Sequence, residues 1–154
     1  MNTLFHRSTL KLIMLLIAAW WSAHALAQGV DRGVVYTKAD VERIIRRVET
    51  QSDGFRTAVD RRLDNSRLNG SEREDVINAQ VRQLETRLDV LREKFDRSDR
   101  WGETRAEVRD VLAAARDVQI AMNRGPFGRD LMSEWRSLKA DLNRLAGIYN
   151  LPKL

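Results

Sequence analysis

Residues 71 to 100 read SEREDVINAQVRQLETRLDVLREKFDRSDR, and this stretch decides the fold. Its apolar residues Ile77, Val81, Leu84, Leu88, Leu91 and Phe95 are spaced four, three, four, three, four. A mean spacing of about 3.5 residues places all six side chains on one narrow stripe of a helix, the a/d pattern of a coiled-coil or bundle seam. Such a stripe has to be covered by other helices, and the flanking sequence supplies them.

Upstream, Thr37 with Asp40 forms a capping box, so a first helix is expected to begin near Lys38. Val41, Ile44, Ile45 and Val48 mark its apolar face, which falters at Thr50-Gln51-Ser52-Asp53-Gly54 and resumes with Phe55, Ala58, Val59 and Leu63. Gly in a helix interior costs about 1 kcal/mol against Ala, little enough for packing to override. A continuous helix, bent or loosened near Gly54 and ending around Arg67 to Asn69, is therefore expected. Gly70 is the stop, and Ser71 with Glu74 reads as a second capping box that opens an antiparallel partner helix running to about Arg100.

Downstream, Trp101-Gly102 breaks the pattern and Thr104 with Glu107 reads as a third capping box. Val108, Val111, Leu112, Ala115, Val118 and Met122 follow, with the small residues Ala113 to Ala115 allowing close helix approach, until Arg124-Gly125-Pro126 ends the segment. A fourth helix carries Leu131, Trp135, Leu138, Leu142, Leu145 and Tyr149, again at four, three, four, three, four, and stops at Asn150-Leu151-Pro152. Four amphipathic segments with short links predict an all-α, antiparallel up-and-down bundle over residues 37–154, a long hairpin followed by a shorter one. The first two helices would outrun the last two by two or three turns, so the long hairpin either projects as a two-stranded arm or has part of its length covered by another subunit. Trp101, Trp135, Tyr149, Phe95 and Phe127 fall near helix ends and read as core caps.

The N-terminus has a different character. Arg7 and Lys11, the apolar run Leu12 to Trp21 and Ala25-Leu26-Ala27 follow the three-part plan of a secretory signal peptide over residues 1–27, with cleavage expected before Gln28 and a flexible leader over 28–36. Ten apolar residues are too few to span a bilayer, which takes about 20. The chain is thus expected to be periplasmic or secreted, with no transmembrane anchor once the signal is removed.

Chemistry narrows sharply on that reading. Both histidines, His6 and His24, lie in the signal, and the 154-residue chain has no Cys. Residues 28–154 consequently lack the ligands for covalent haem, for Glu-x-x-His di-iron centres and for His or Cys zinc and copper sites. No metal, cofactor, catalytic residue or disulfide is expected. Ser137 and Lys139 do not make a dyad, because positions two apart on a helix face different ways.

Of the 27 Lys and Arg, two fall in the signal, and none of the 22 Asp and Glu do, so residues 28–154 carry a net charge of +3. Acids and arginines interleave through Glu72 to Asp75 and through Arg92 to Arg100, the pattern of a solvated, salt-bridged helix surface rather than a nucleic-acid face. The expected function is contact with another protein, or with a second copy through the long hairpin, in an adaptor, chaperone-like or assembly role in the bacterial envelope. The alternative is a small-molecule-binding or mutase-like helical enzyme working with Arg, Glu and Gln alone, for which Arg62, seven after Phe55, is the nearest arginine to a seam.

Overall fold

The computed structural model describes residues 35–125 and 127–154; the expected signal peptide and most of the leader lie outside them. Among the described residues the chain is all helical, with α1 (Lys38–Asp64), α2 (Glu72–Arg97), a 3-10 turn (Trp101–Thr104), α3 (Arg105–Arg124) and α4 (Arg129–Ile148), and no strand.

Helix starts follow the capping chemistry unevenly. Thr37 and Asp40 form the complete reciprocal box, Asp40 N to Thr37 Oγ1 at 3.2 Å and Thr37 N to Asp40 Oδ2 at 3.1 Å. The Thr37 hydroxyl, which donates to Asp40 Oδ2 at 2.6 Å, together with the Thr37 N–H and helped by Arg43, holds the Asp40 carboxyl below its ordinary pKa. Ser71 caps α2 through the Glu74 N–H, but the Glu74 carboxylate reaches one residue further back, to the Gly70 N–H, so only half of the expected box forms. At α3 the expected box is absent. Thr104 makes no capping bond, because its hydroxyl is drawn inward to the Trp101 carbonyl and the Tyr149 phenol.

α1 is continuous through Gly54 and ends at Asp64, earlier than the 67–69 expected. Asn65 Nδ2 donates to the Arg61 carbonyl, Ser66 Oγ to that of Leu63 and Asn69 Nδ2 to that of Asp64, so polar side chains occupy acceptors that another helical turn would have used. Gly70 then takes φ of 73°, the left-handed conformation that reverses the chain. α4 ends in a Schellman motif: Asn150 at φ of 51°, Asn150 N to Gly147 O at 3.2 Å, and Leu151 N to Ala146 O at 2.9 Å.

Each helix packs on two neighbours, α1 on α2 and α4, and α3 on α2 and α4. Contacts at the helix ends fix the directions. Lys38 at the start of α1 donates to the Ser98 carbonyl just past the end of α2, and Arg73 at the start of α2 donates to the Arg124 carbonyl at the end of α3. Arg105 at the start of α3 likewise donates to the Tyr149 carbonyl after α4. Neighbours are therefore antiparallel around one apolar core, in which Phe55 of α1 meets Trp135 of α4 with ring centroids 5.5 Å apart.

The surplus length of the first hairpin is not left bare. All six seam residues of α2 are 3% exposed or less. At 1.5 Å per residue the 27 and 26 residues of α1 and α2 outrun the 20 of α3 and α4 by about 10 Å. The 3-10 turn fills that length at one pole, where Trp101 stands edge-on to Tyr149 at 5.1 Å and donates its indole N–H to the Tyr36 carbonyl. Leu151 and Leu154 fold back onto the core, and Leu68 and Phe127 also pack against it. The expectation of an uncovered hairpin end is corrected accordingly.

Candidate interaction surfaces

Among the described residues, three of the surface recesses each sit between two helices. The buried polar or charged residues among those described are Ser52, Glu74, Ser98 and Thr104, with no arginine or lysine among them.

The first recess lies between α2 and α3. Arg73, Val76, Ile77 and Gln80 of α2 face Ile120, Ala121 and Arg124 of α3 around ≈ 200 Å³. Val76 and Ile120 are 50% and 46% exposed, so this groove holds two of the large apolar side chains that the bundle leaves in water. Arg73 and Arg124 flank it. The heptad position explains the exposure: Val76 precedes the seam residue Ile77, and Ile120 falls between Val118 and Met122, both buried.

The second recess lies between α1 and α2 and is acidic. Glu49, Thr50, Ser52 and Asp53 of α1 meet Glu85, Leu88 and Asp89 of α2 around ≈ 260 Å³. Burial pushes the Glu49 carboxyl above its ordinary pKa, and Asp89 and Asp53 add to the rise against the opposing pull of Arg92 and Arg46. Glu85 is raised in the same way by burial, although Arg56 Nε lies 2.8 Å from its Oε1 in an ion contact that lacks hydrogen-bond alignment. Ser52 occupies the seam position where the apolar pattern of α1 falters; it is 1% exposed and its hydroxyl has no hydrogen-bond partner among the described residues.

The third recess joins the end of α1 to the start of α4, with Arg61, Arg62, Asn65, Gly128, Asp130 and Glu134 on its walls. Arg62, the arginine nearest a seam in the sequence, is exposed here at the rim of an open depression. It does not line a buried pocket of the kind a mutase-like site requires.

No candidate site residue was legible in the sequence, and the two carboxylate pairs show why. Glu49 with Asp53, and Glu85 with Asp89, are each like-charge pairs at i and i+4, a spacing that disfavours a helix by about 0.2–0.5 kcal/mol. Amid 22 acidic residues each pair reads as ordinary solvated surface. Elsewhere that reading holds, with Glu42–Arg46, Arg92–Asp96 and Arg97–Glu93 bridged along the helices. Among the described residues no group of three or more His, Cys, Asp or Glu side chains is placed to hold a metal ion. Nor is any described helix long and apolar enough to cross a membrane.

The chain matches no protein-family model, and comparison with curated proteins and with solved structures returned no similar one.

Proposed function

We propose that this chain is an exported helical-bundle protein that acts by protein–protein contact in the bacterial envelope, as an adaptor, chaperone-like or assembly factor. The α2/α3 groove carries the reading. Its exposed Val76 and Ile120, between Arg73 and Arg124, suit a partner helix that presents an apolar side chain flanked by carboxylates. Because the α2 seam is buried within the chain, the exposed apolar side chains of this groove support contact better than the hairpin end does. Export rests on the charge, apolar run and small-x-small site of residues 1–27.

Two measurements test the proposal. The chain expressed in its host should be recovered from the periplasm or medium with Gln28 as its first residue, and recovery from the cytoplasm with Met1 intact would overturn export. In the same cells, crosslinked capture should yield a partner whose binding is lost with Val76→Glu and Ile120→Glu together while the helical circular dichroism is kept. The captured partner's acidic amphipathic segment, as a synthetic peptide, should bind the purified wild-type protein directly. Capture that is indifferent to both substitutions would reject the groove.

A further inference from the structure

We propose that the cleft between α1 and α2, walled by Glu49, Asp53, Glu85 and Asp89 with Ser52 between them, is a binding site for the ammonium groups of a linear aliphatic polyamine. It lies on a different helix pair from the groove assigned to protein contact.

Because α1 and α2 run antiparallel, the two i, i+4 carboxylate pairs are stacked in opposite order, so that Glu49 comes beside Asp89 and Asp53 beside Glu85. The result is two tiers of negative charge, one helical turn or about 6 Å apart along the bundle axis. Glu85 has an ion-pair partner in Arg56, whereas Glu49, Asp53 and Asp89 have none within salt-bridge distance among the described residues. Arg92 and Arg46, the other cations whose charge reaches the cleft, are committed elsewhere, Arg92 to Asp96 and Glu42 and Arg46 to Glu42. Four carboxylates held together with so little compensation oppose folding, since like charges repel within each helix and across the helix pair.

Ser52 adds a buried, unpartnered hydroxyl to the cleft. A hydroxyl that is buried at a seam position without a partner carries a desolvation penalty of about 1–3 kcal/mol, and alanine would fill the same place without it. Ser52 lines the acidic cleft, where its oxygen can accept an N–H from a bound ammonium.

The form of the ligand follows from the spread of the acids. They do not converge as a metal site does, and a point cation would leave one tier unneutralised. Ammonium groups separated by a short run of methylenes match two tiers one turn apart.

The test is a titration of the isotopically labelled protein with spermidine at low ionic strength, followed by backbone amide shifts. Saturable shifts confined to residues 49–53 and 85–89 are expected. The pair E49Q/D89N, which keeps side-chain size and relieves repulsion, should weaken binding by about tenfold or more, and Ser52→Ala should weaken it several-fold, both with unchanged circular dichroism. The control D110N/D117N on α3 should leave the affinity as it is. Shifts that scatter over the acidic surface without saturating, or an affinity unchanged by E49Q/D89N, would overturn the assignment. So would calcium chloride moving the same amides at lower concentration, which would make the cleft a metal site, or a lysine-containing peptide binding more tightly than spermidine, which would make it a docking point for a protein side chain.

Discussion

At Gly54, inside α1, an added Cβ would meet no atom within 4 Å, whereas at Gly70 the space is equally open but φ is 73°. The two positions should respond in opposite directions to one substitution. Gly54→Ala relieves the backbone entropy of a helical glycine and should raise unfolding stability by about 1 kcal/mol. Gly70→Ala forces a Cβ into the left-handed region and should lower it by about 1–2 kcal/mol. Denaturant midpoints at constant slope measure both. Gly54 also shows what a single residue can conceal in a sequence. The polar run around it breaks the apolar pattern, yet Phe55 and Val59 are buried on the same face as Val48, and that packing keeps the helix continuous through it.

Between elements, the pole built by the 3-10 turn holds a buried polar cluster. Thr104 Oγ1 and Tyr149 Oη lie 2.8 Å apart, and both also reach the Trp101 carbonyl, at 2.8 and 3.1 Å. Burial pushes the Tyr149 phenol above its ordinary pKa, against a smaller opposing effect of the Thr104 hydrogen bond, so it stays protonated at physiological pH. Thr104→Val and Tyr149→Phe should each lower stability by about 1–2 kcal/mol, and the double variant by less than the two together, because either change already breaks the shared bond. A denaturation cycle of the four proteins measures the coupling. Here the sequence misled for a physical reason. Thr104-x-x-Glu107 is a valid capping pattern, but a threonine has one hydroxyl, and a tyrosine 45 residues away competes for it. The seams themselves were legible because 3.5-residue spacing has one geometric solution, whereas helix ends depend on which polar side chain takes each free carbonyl.

Over the whole molecule, two sets of carboxylates set opposing dependences on pH. Glu49 and Glu85 are raised above their ordinary value near 4.5 by burial, so their ionisation opposes folding at neutral pH, and that opposition is relieved as pH falls through the raised values. Asp40, held low by its bonds to Thr37, and Glu42, held low by its hydrogen bond to Arg46, contribute stability that persists until pH falls below the ordinary values of 3.8 and 4.5. Thermal stability should therefore increase from pH 7 toward about pH 5 and decline below about pH 4. Glu49→Gln should be more stable than the parent at pH 7 and lose that advantage at the acid end, which parallel melting curves would show. The cleft behind this behaviour could not be read from the chain, because the two carboxylate pairs sit 36 residues apart and only the register of α1 against α2 brings them face to face.

Trp101 touches both the entry to α1 and the exit from α4, donating to the Tyr36 carbonyl and standing against the Tyr149 ring. The first and last helices thus enter and leave at the same pole, and the ring of helix contacts is open, covalently, only there. A circular permutant that joins the two ends and opens the chain at Gly70 would keep every seam while exchanging which hairpin is local. In such a molecule α1 and α4, now partners only through distant closure, would become consecutive neighbours. The order in which the helices are synthesised and the ring in which they pack are separable properties of this chain.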